Sequence, residues 1–273
     1  MKYVDIIICL AGVVLLAYWL LRTSLGRQAL VDSVPRRNDM PFYLPLIPFF
    51  FSFGAVSLAA NITNDLTEDW PAWQGAVADN IVLCVGTTLT AVLIVLLARL
   101  HFARRLKGFG LGLRSFPRDM VLAPLYLLAV WPLILVAVKL TIDITRHFSN
   151  PEYQMQQHEQ LQVVTQHPQF MLRMLVVVGA VLIGPFFEEL FFRGLVQTTI
   201  RSFLFEAGNR AWLAIGFSSG LFMIMHPDPG HWPALFVLGM CMGYAYEKSG
   251  SLWRPIIIHA IFNATAVVAT LSK

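Results

Sequence analysis

Charged residues interrupt an apolar run near the middle of the chain, where the sequence reads VVVGAVLIGPFFEELFFRGLV. Glu188 and Glu189 are adjacent, and Arg193 follows Glu189 by four residues. Residues four apart share one face of an α-helix, so Glu189 and Arg193 are predicted to form an ion pair. Glu188 lies about 100° around the helix and is left to face a different neighbour. This makes Glu188 the candidate general base, because a carboxylate among apolar groups can activate a water molecule.

Two further motifs place polar side chains in the apolar segments that follow. FMIMH ends at His226, and HAIFN runs from His259 to Asn263. His259 and Asn263 are one helical turn apart, and two hydrogen-bond donors that point together suit a developing oxyanion. An ionisable residue inside a membrane span costs roughly 2.5 to 3.5 kcal/mol to insert, so such residues indicate function by default. Counted at about 1.5 Å per residue, Glu188, His226 and Asn263 lie at comparable depths, whereas His259 is shallower.

Each of these side chains also has a structural interpretation. Glu189 and Arg193 can be a purely structural ion pair, and His226 can be an interfacial histidine. His259 and Asn263 can form hydrogen bonds between helices, which are common in membrane proteins. The joint occurrence of all these residues in neighbouring apolar segments favours a shared polar site.

The composition is typical of a membrane protein. Of the 273 residues, 57% are hydrophobic and 13% are charged, whereas soluble domains contain about 25% charged residues. The net charge of +4 comes from short loops between apolar runs, which indicates membrane orientation and excludes the nucleic-acid-binding class. The expected surroundings are therefore a lipid bilayer, with no nucleic-acid partner.

The apolar runs predict an all-α fold, a polytopic transmembrane helix bundle of about eight spans with an intramembrane polar cavity. Residues 1–150 are predicted to hold N-terminal transmembrane helices without recognised motifs, and residues 171–273 the catalytic core. The polar stretch 143–170 is predicted to be a solvated loop, a lid or a partner surface. The spans are placed at 3–21, 41–61, 80–98, 120–142, 171–192, 211–226, 233–247 and 252–270.

Basic residues concentrate in alternate loops, namely those after the first, third, fifth and seventh spans. The loop after the third span is the richest, and it begins at Arg99 and ends at Arg118. Lysine and arginine are enriched in cytoplasmic loops, so this loop is predicted to face the cytoplasm.

EELFFRG, FMIMH and GSLWRPIIIHAIFN resemble the successive motifs of the CPBP family of intramembrane proteases. That family includes the CAAX prenyl endopeptidases of the Rce type and bacterial Abi-type relatives, and the resemblance covers roughly residues 172–270. It implies an intramembrane endopeptidase, multi-pass in a bacterial cytoplasmic membrane, whose substrate is a peptide or a membrane protein. The resemblance also implies catalytic roles for four residues and supporting roles for two. Glu188 and His226 would activate water, His259 and Asn263 would stabilise the oxyanion, and Glu189 and Arg193 would support them.

Two questions stay open at the level of sequence. Water activation without a metal is favoured, but Glu188, His226 and His259 could form a three-ligand zinc set with an open position for water. A non-catalytic membrane interaction or bacteriocin-immunity protein that retains the family cavity is the alternative function. A transporter or proton relay is a third class, which the lack of an evident inverted repeat disfavours.

Overall fold

The computed structural model describes residues 3–155, 159–204 and 210–272. Within these ranges the chain is all-α, as predicted, and its one β-type pairing is an isolated bridge between Asn38 and Phe102. The helices are α1 (Tyr3–Arg22), α2 (Leu46–Leu66), α3 (Ala72–His101), α4 (Arg105–Phe109), α5 (Phe116–Phe148), α6 (Glu159–Gln166), α7 (Phe170–Phe203), α8 (Arg210–Ile224), α9 (Trp232–Ser249) and α10 (Trp253–Leu271).

Six described helices are long and apolar enough to cross a membrane: α1, α2, α3, α5, α7 and α10. The predicted spans at 211–226 and 233–247 are helices as well, α8 and α9. At about 1.5 Å per residue, the 15 residues of α8 reach roughly 22 Å, short of a hydrocarbon core of about 30 Å. Six spans are therefore confirmed by length and composition, and the count of eight stays a prediction.

Proline accounts for the largest differences between predicted and observed helix starts. α2 begins at Leu46 rather than at residue 41, because Pro41 and Pro45 restrict the backbone around them to a turn. α3 begins directly after Pro71, eight residues before the predicted start. Residues 72–79 continue the helix in the N-terminal direction, and they include the polar side chains Gln74 and Asp79.

The polar stretch 143–170 contains more helix than predicted. α5 continues to Phe148, and α6 occupies Glu159–Gln166. Three residues of the stretch, 156–158, lie outside the described residues. Val164 of α6 is buried against Leu172 and Val176 of α7, so one face of this segment packs against the bundle rather than facing solvent.

One hydrophobic core joins helices from both halves of the chain. α3 and α5 contribute alanine, leucine and isoleucine side chains, α7 contributes leucines, phenylalanines and a valine, and α9 and α10 complete the core. The packing is close at Gly194 on α7, where an added Cβ would overlap the ring of Phe109. Fully buried members of the core include Ile94, Phe109, Leu190, Leu195, Phe222, Leu238, Met242 and Leu252.

A buried ion pair fixes α5 to α10. Arg254 at the start of α10 donates from Nη2 to Asp119 Oδ1 at 2.7 Å and from Nε to the same atom at 2.9 Å. Tyr126 accepts a third hydrogen bond from Nη1 of Arg254 at 3.3 Å. The Asp119 side chain is fully buried and that of Arg254 is 5% exposed, so each charge depends on the other for compensation.

Replacing Asp119 with alanine should destabilise the protein strongly, because the Arg254 guanidinium would stay buried without its counter-charge. Removing one partner of a buried pair costs about 3–5 kcal/mol. The thermal unfolding midpoint of the purified protein in detergent checks this, with Arg118→Ala, an exposed neighbour, as the matched control. Equal midpoints for D119A and R118A would contradict the assignment.

Candidate active site

The two adjacent glutamates lie where the winding of α7 changes. Residues Gly184–Glu189 are α-helical, and they are flanked by two π-helical segments, Gly179–Ile183 and Leu190–Gln197. Pro185 stands in the first turn of the α-helical segment, where its missing N–H disrupts the regular ladder of hydrogen bonds. π-Helical turns are rare and are frequent at functional sites. Two π-helical segments flank these charges in α7, and a third, Phe51–Val56, lies in α2 away from them.

Arg193 and Glu189 form the predicted ion pair. Arg193 Nη1 donates to Glu189 Oε1 at 2.7 Å, and both side chains are at most 1% exposed. Nη2 of Arg193 donates to the carbonyl of Gly239 on α9 at 3.3 Å. The guanidinium also lies over the ring of Phe222, 4.6 Å from its centroid, which is within the range of a cation–π contact.

A contact that the sequence did not predict joins Glu189 to His259. His259 Nδ1 lies 3.0 Å from Glu189 Oε1, the same oxygen that accepts from Arg193. An ionised carboxylate can only accept hydrogen bonds, so Nδ1 of His259 carries a proton in this arrangement. Glu189 thereby sets the orientation of the His259 ring and directs Nε2 away from the buried pair.

Glu188 occupies the more open side of the same group. Its side chain is 26% exposed, and its Oε2 lies 3.9 Å from Nε2 of His259. That separation suits a charge pair but exceeds the range of a direct hydrogen bond. Within the described residues, Oε2 of Glu188 and Oε2 of Glu189 accept no hydrogen bond. Glu188 is therefore the more exposed of the two glutamates, although its Oε2 is itself buried.

His226 joins the group through the ring of Phe222. It lies just beyond the end of α8, where its Nδ1 donates to the Phe222 carbonyl at 2.8 Å and its own carbonyl accepts from Trp232 Nε1 at 2.9 Å. The Phe222 ring contacts His226 and His259 edge to face, with ring centroids 4.8 and 5.6 Å apart. Because Nδ1 donates, Nε2 is the acceptor nitrogen of a neutral His226 ring.

Asn263 lies one turn beyond His259 on α10 and has a partner of its own. Its Nδ2 donates to the carbonyl of Ala180 at 2.8 Å, and Ala180 belongs to the first π-helical segment of α7. In a π-helix the carbonyls are displaced from the regular α-helical ladder, so side chains of neighbouring helices can bind them. His259 and Asn263 thus bind different groups, Glu189 and the Ala180 carbonyl. Their joint binding of one oxyanion stays a prediction.

The arrangement of these residues does not fit the zinc set that the sequence left open. Glu188 and His259 approach each other, but no group of three His, Cys, Asp or Glu side chains in the described ranges could hold one metal ion.

Comparisons with known proteins point to the segment that contains all these residues. Residues 170–265 match the family described as type II CAAX prenyl endopeptidase Rce1-like. A stretch of 97 residues, 36% of this chain, is 28% identical to YdiL of Bacillus subtilis (strain 168), which is named as a candidate membrane peptidase. The match spans 38% of that relative's length, and no solved structure matches the chain. The resemblance inferred from three motifs is confirmed over residues 170–265, the part of the chain that is similar to the Rce1-like type II CAAX prenyl endopeptidase family.

Proposed function

We propose that this protein is an intramembrane endopeptidase that hydrolyses a peptide bond with a glutamate-activated water. The observation that supports this most is the shared oxygen of Glu189, which binds Arg193 and His259 while Glu188 stands 3.9 Å from the far nitrogen of the same ring. A buried pair holds the histidine in place, and a second, partly exposed carboxylate faces it. A purely structural ion pair would need neither His259 nor Glu188.

The charges of the group suit an oxyanion site. Two carboxylates and one guanidinium leave one negative charge, which a proton on Nε2 of His259 would neutralise. In that form His259 donates from Nδ1 to Glu189 and has an Nε2–H group for a substrate oxygen. Donors that are positioned in advance stabilise developing charge most strongly in a site with little water.

These positions are compatible with hydrolysis by an activated water. Glu188 takes a proton from a water molecule, aided by the acceptor nitrogen of His226, and the water oxygen bonds to the carbonyl carbon of the substrate. The electrons of the C=O bond move onto its oxygen, where His259 and the second N–H of the Asn263 amide donate hydrogen bonds. Collapse of this intermediate breaks the C–N bond, and Glu188 returns the proton to the leaving amine.

The setting of the site supports a membrane-embedded substrate. Glu188 lies within α7, a helix of 34 residues that is apolar enough to span a bilayer. The substrate class is therefore a peptide or a membrane-protein segment that enters a polar cavity between the helices, in a bacterial cytoplasmic membrane. Residues 171–273 form the catalytic core in this proposal, and α8 and α9 complete eight spans.

Glu188→Gln should abolish cleavage and leave the fold intact. The amide keeps the shape of the side chain but cannot accept a proton, and loss of a general base lowers rates roughly 10²- to 10⁴-fold. The measurement compares the peptides released by cells that carry the wild type with those released by cells that carry E188Q. Some peptides should be present only with the wild type. Glu68→Gln, an exposed change in the loop after α2, is the control. Identical peptide patterns for E188Q and the wild type would favour the non-catalytic alternative.

Asn263→Ala should lower kcat roughly 10²- to 10³-fold, measured on a substrate identified from the released peptides. This is the usual cost of losing one oxyanion donor. KM should change little, because the donor acts on charge that develops in the transition state. A merely structural role, through the bond to Ala180, would instead lower the unfolding temperature and leave kcat unchanged in the folded fraction.

Cleavage by the purified protein should be unaffected by EDTA and by 1,10-phenanthroline, because Glu188 and His226 activate the water directly. A metal-bound water would make the rate depend on the ion. The measurement is the initial rate before and after dialysis against each chelator. Activity that is lost on dialysis and restored by added Zn²⁺ would overturn the metal-free mechanism.

A further inference from the structure

A second polar feature lies at the end of α3 and shares no residue with the candidate active site. A cavity of about 430 Å³ opens between the last turn of α3 and the segment that joins α1 to α2. Its lining includes Arg37 on one side and Arg99 and Arg105 on the other, together with Asp39 and His101. Nothing in the proposed peptidase chemistry uses these residues.

The charge of this cavity is strongly positive. All three arginines are exposed, and none of their guanidinium groups forms an ion pair within the described part of the chain. Asp39 is the one carboxylate in the lining, and its Oδ1 lies 3.0 Å from Nδ1 of His101. Three arginines against one aspartate leave an excess of two positive charges around the cavity. Guanidinium groups bind phosphate through paired hydrogen bonds.

Backbone contacts give the cavity a defined frame. Asp39 N donates to the carbonyl of His101 at 3.1 Å, and Ala103 N donates to that of Arg37 at 3.1 Å. The same two segments form the isolated bridge between Asn38 and Phe102. The backbone at Arg37 is therefore tied to the chain between Arg99 and Arg105.

The length of α3 places the cavity at the surface of the bilayer. Residues 80–98, between Asp79 and Arg99, contain no charged side chain. At about 1.5 Å per residue they cover roughly 28 Å, which matches a hydrocarbon core of about 30 Å. Arg99 thus lies where the headgroups begin, on the side that the basic loops predict to be cytoplasmic.

Exposed apolar side chains adjoin the cavity. Leu100 is part of its lining and is 76% exposed. Asn38 donates to Ser202 Oγ at 3.2 Å, which brings the lining next to the exposed rings of Phe42 and Phe203, whose centroids are 6.1 Å apart. A ligand here would meet positive charge at one end and apolar surface at the other.

We propose that this cavity binds the phosphate headgroup of an anionic phospholipid, with the acyl chains lying along Leu100 and the neighbouring rings. A free phosphate ion would use the arginines in the same way but would gain nothing from the apolar border. Anionic lipids are concentrated in the cytoplasmic leaflet, and basic pockets at the ends of membrane helices bind their headgroups. The lipid would join the α1–α2 segment to the end of α3.

Native mass spectrometry of the full chain in detergent tests the proposal, with phosphatidylglycerol as the probe and phosphatidylcholine of the same acyl chains for comparison. The wild type should retain phosphatidylglycerol and bind phosphatidylcholine much more weakly. The triple variant Arg37→Gln, Arg99→Gln, Arg105→Gln should bind phosphatidylglycerol about 10- to 100-fold more weakly, because each arginine contributes separately to anionic-lipid affinity.

A matched variant separates a built site from general surface charge. Arg27→Gln, Arg114→Gln, Arg118→Gln removes three exposed arginines outside the lining, and it should bind phosphatidylglycerol as the wild type does. Equal losses in the two triple variants would overturn the proposal, as would displacement of the lipid by inorganic phosphate at equal concentration. If the first variant does not fold, Arg99→Gln alone against Arg118→Gln provides the same comparison.

Discussion

The buried guanidinium of Arg193 is the constraint on which the site depends. A charge without exposure must be compensated on several sides, and Arg193 is compensated by Glu189, by the Gly239 carbonyl and by the face of Phe222. Those three partners come from α7, α9 and α8 respectively, so one cation fixes three helices around it. The oxygen of Glu189 that binds Arg193 also binds His259 of α10.

Close helix packing makes that compensation possible. α9 carries the sequence GMCMG, in which Gly239 and Gly243 are four apart. Gly239 lies against Ser219 of α8, and Gly243 against Ile215 of α8 and Gln197 of α7. Small residues at this spacing let membrane helices approach closely. The glycine carbonyls then become acceptors for α7, where Arg193 binds Gly239 and Gln197 binds Gly243.

The sequence predicted the parts of the site that depend on local spacing. The Glu189–Arg193 pair follows from a separation of four residues, and the all-α class follows from the apolar runs. The Glu189–His259 contact joins residues 70 positions apart, and local periodicity carries no information about such a pair. The bond between Asn263 and Ala180 depends on π-helical winding of α7, which a fixed period of 3.6 residues does not anticipate.

In the proposed mechanism the two adjacent glutamates cannot exchange roles, because they differ in burial. Glu189 is fully buried with a guanidinium at 2.7 Å, so its charge is committed to holding Arg193 and His259. Proton transfer to that carboxylate would leave Arg193 buried beside a neutral partner, at a cost of several kcal/mol. Glu188 is partly exposed, so in the proposed mechanism it is the carboxylate that gains and loses a proton in each turnover. In that mechanism, the structural role and the chemical role would fall to two neighbouring residues that lie about 100° apart around the helix.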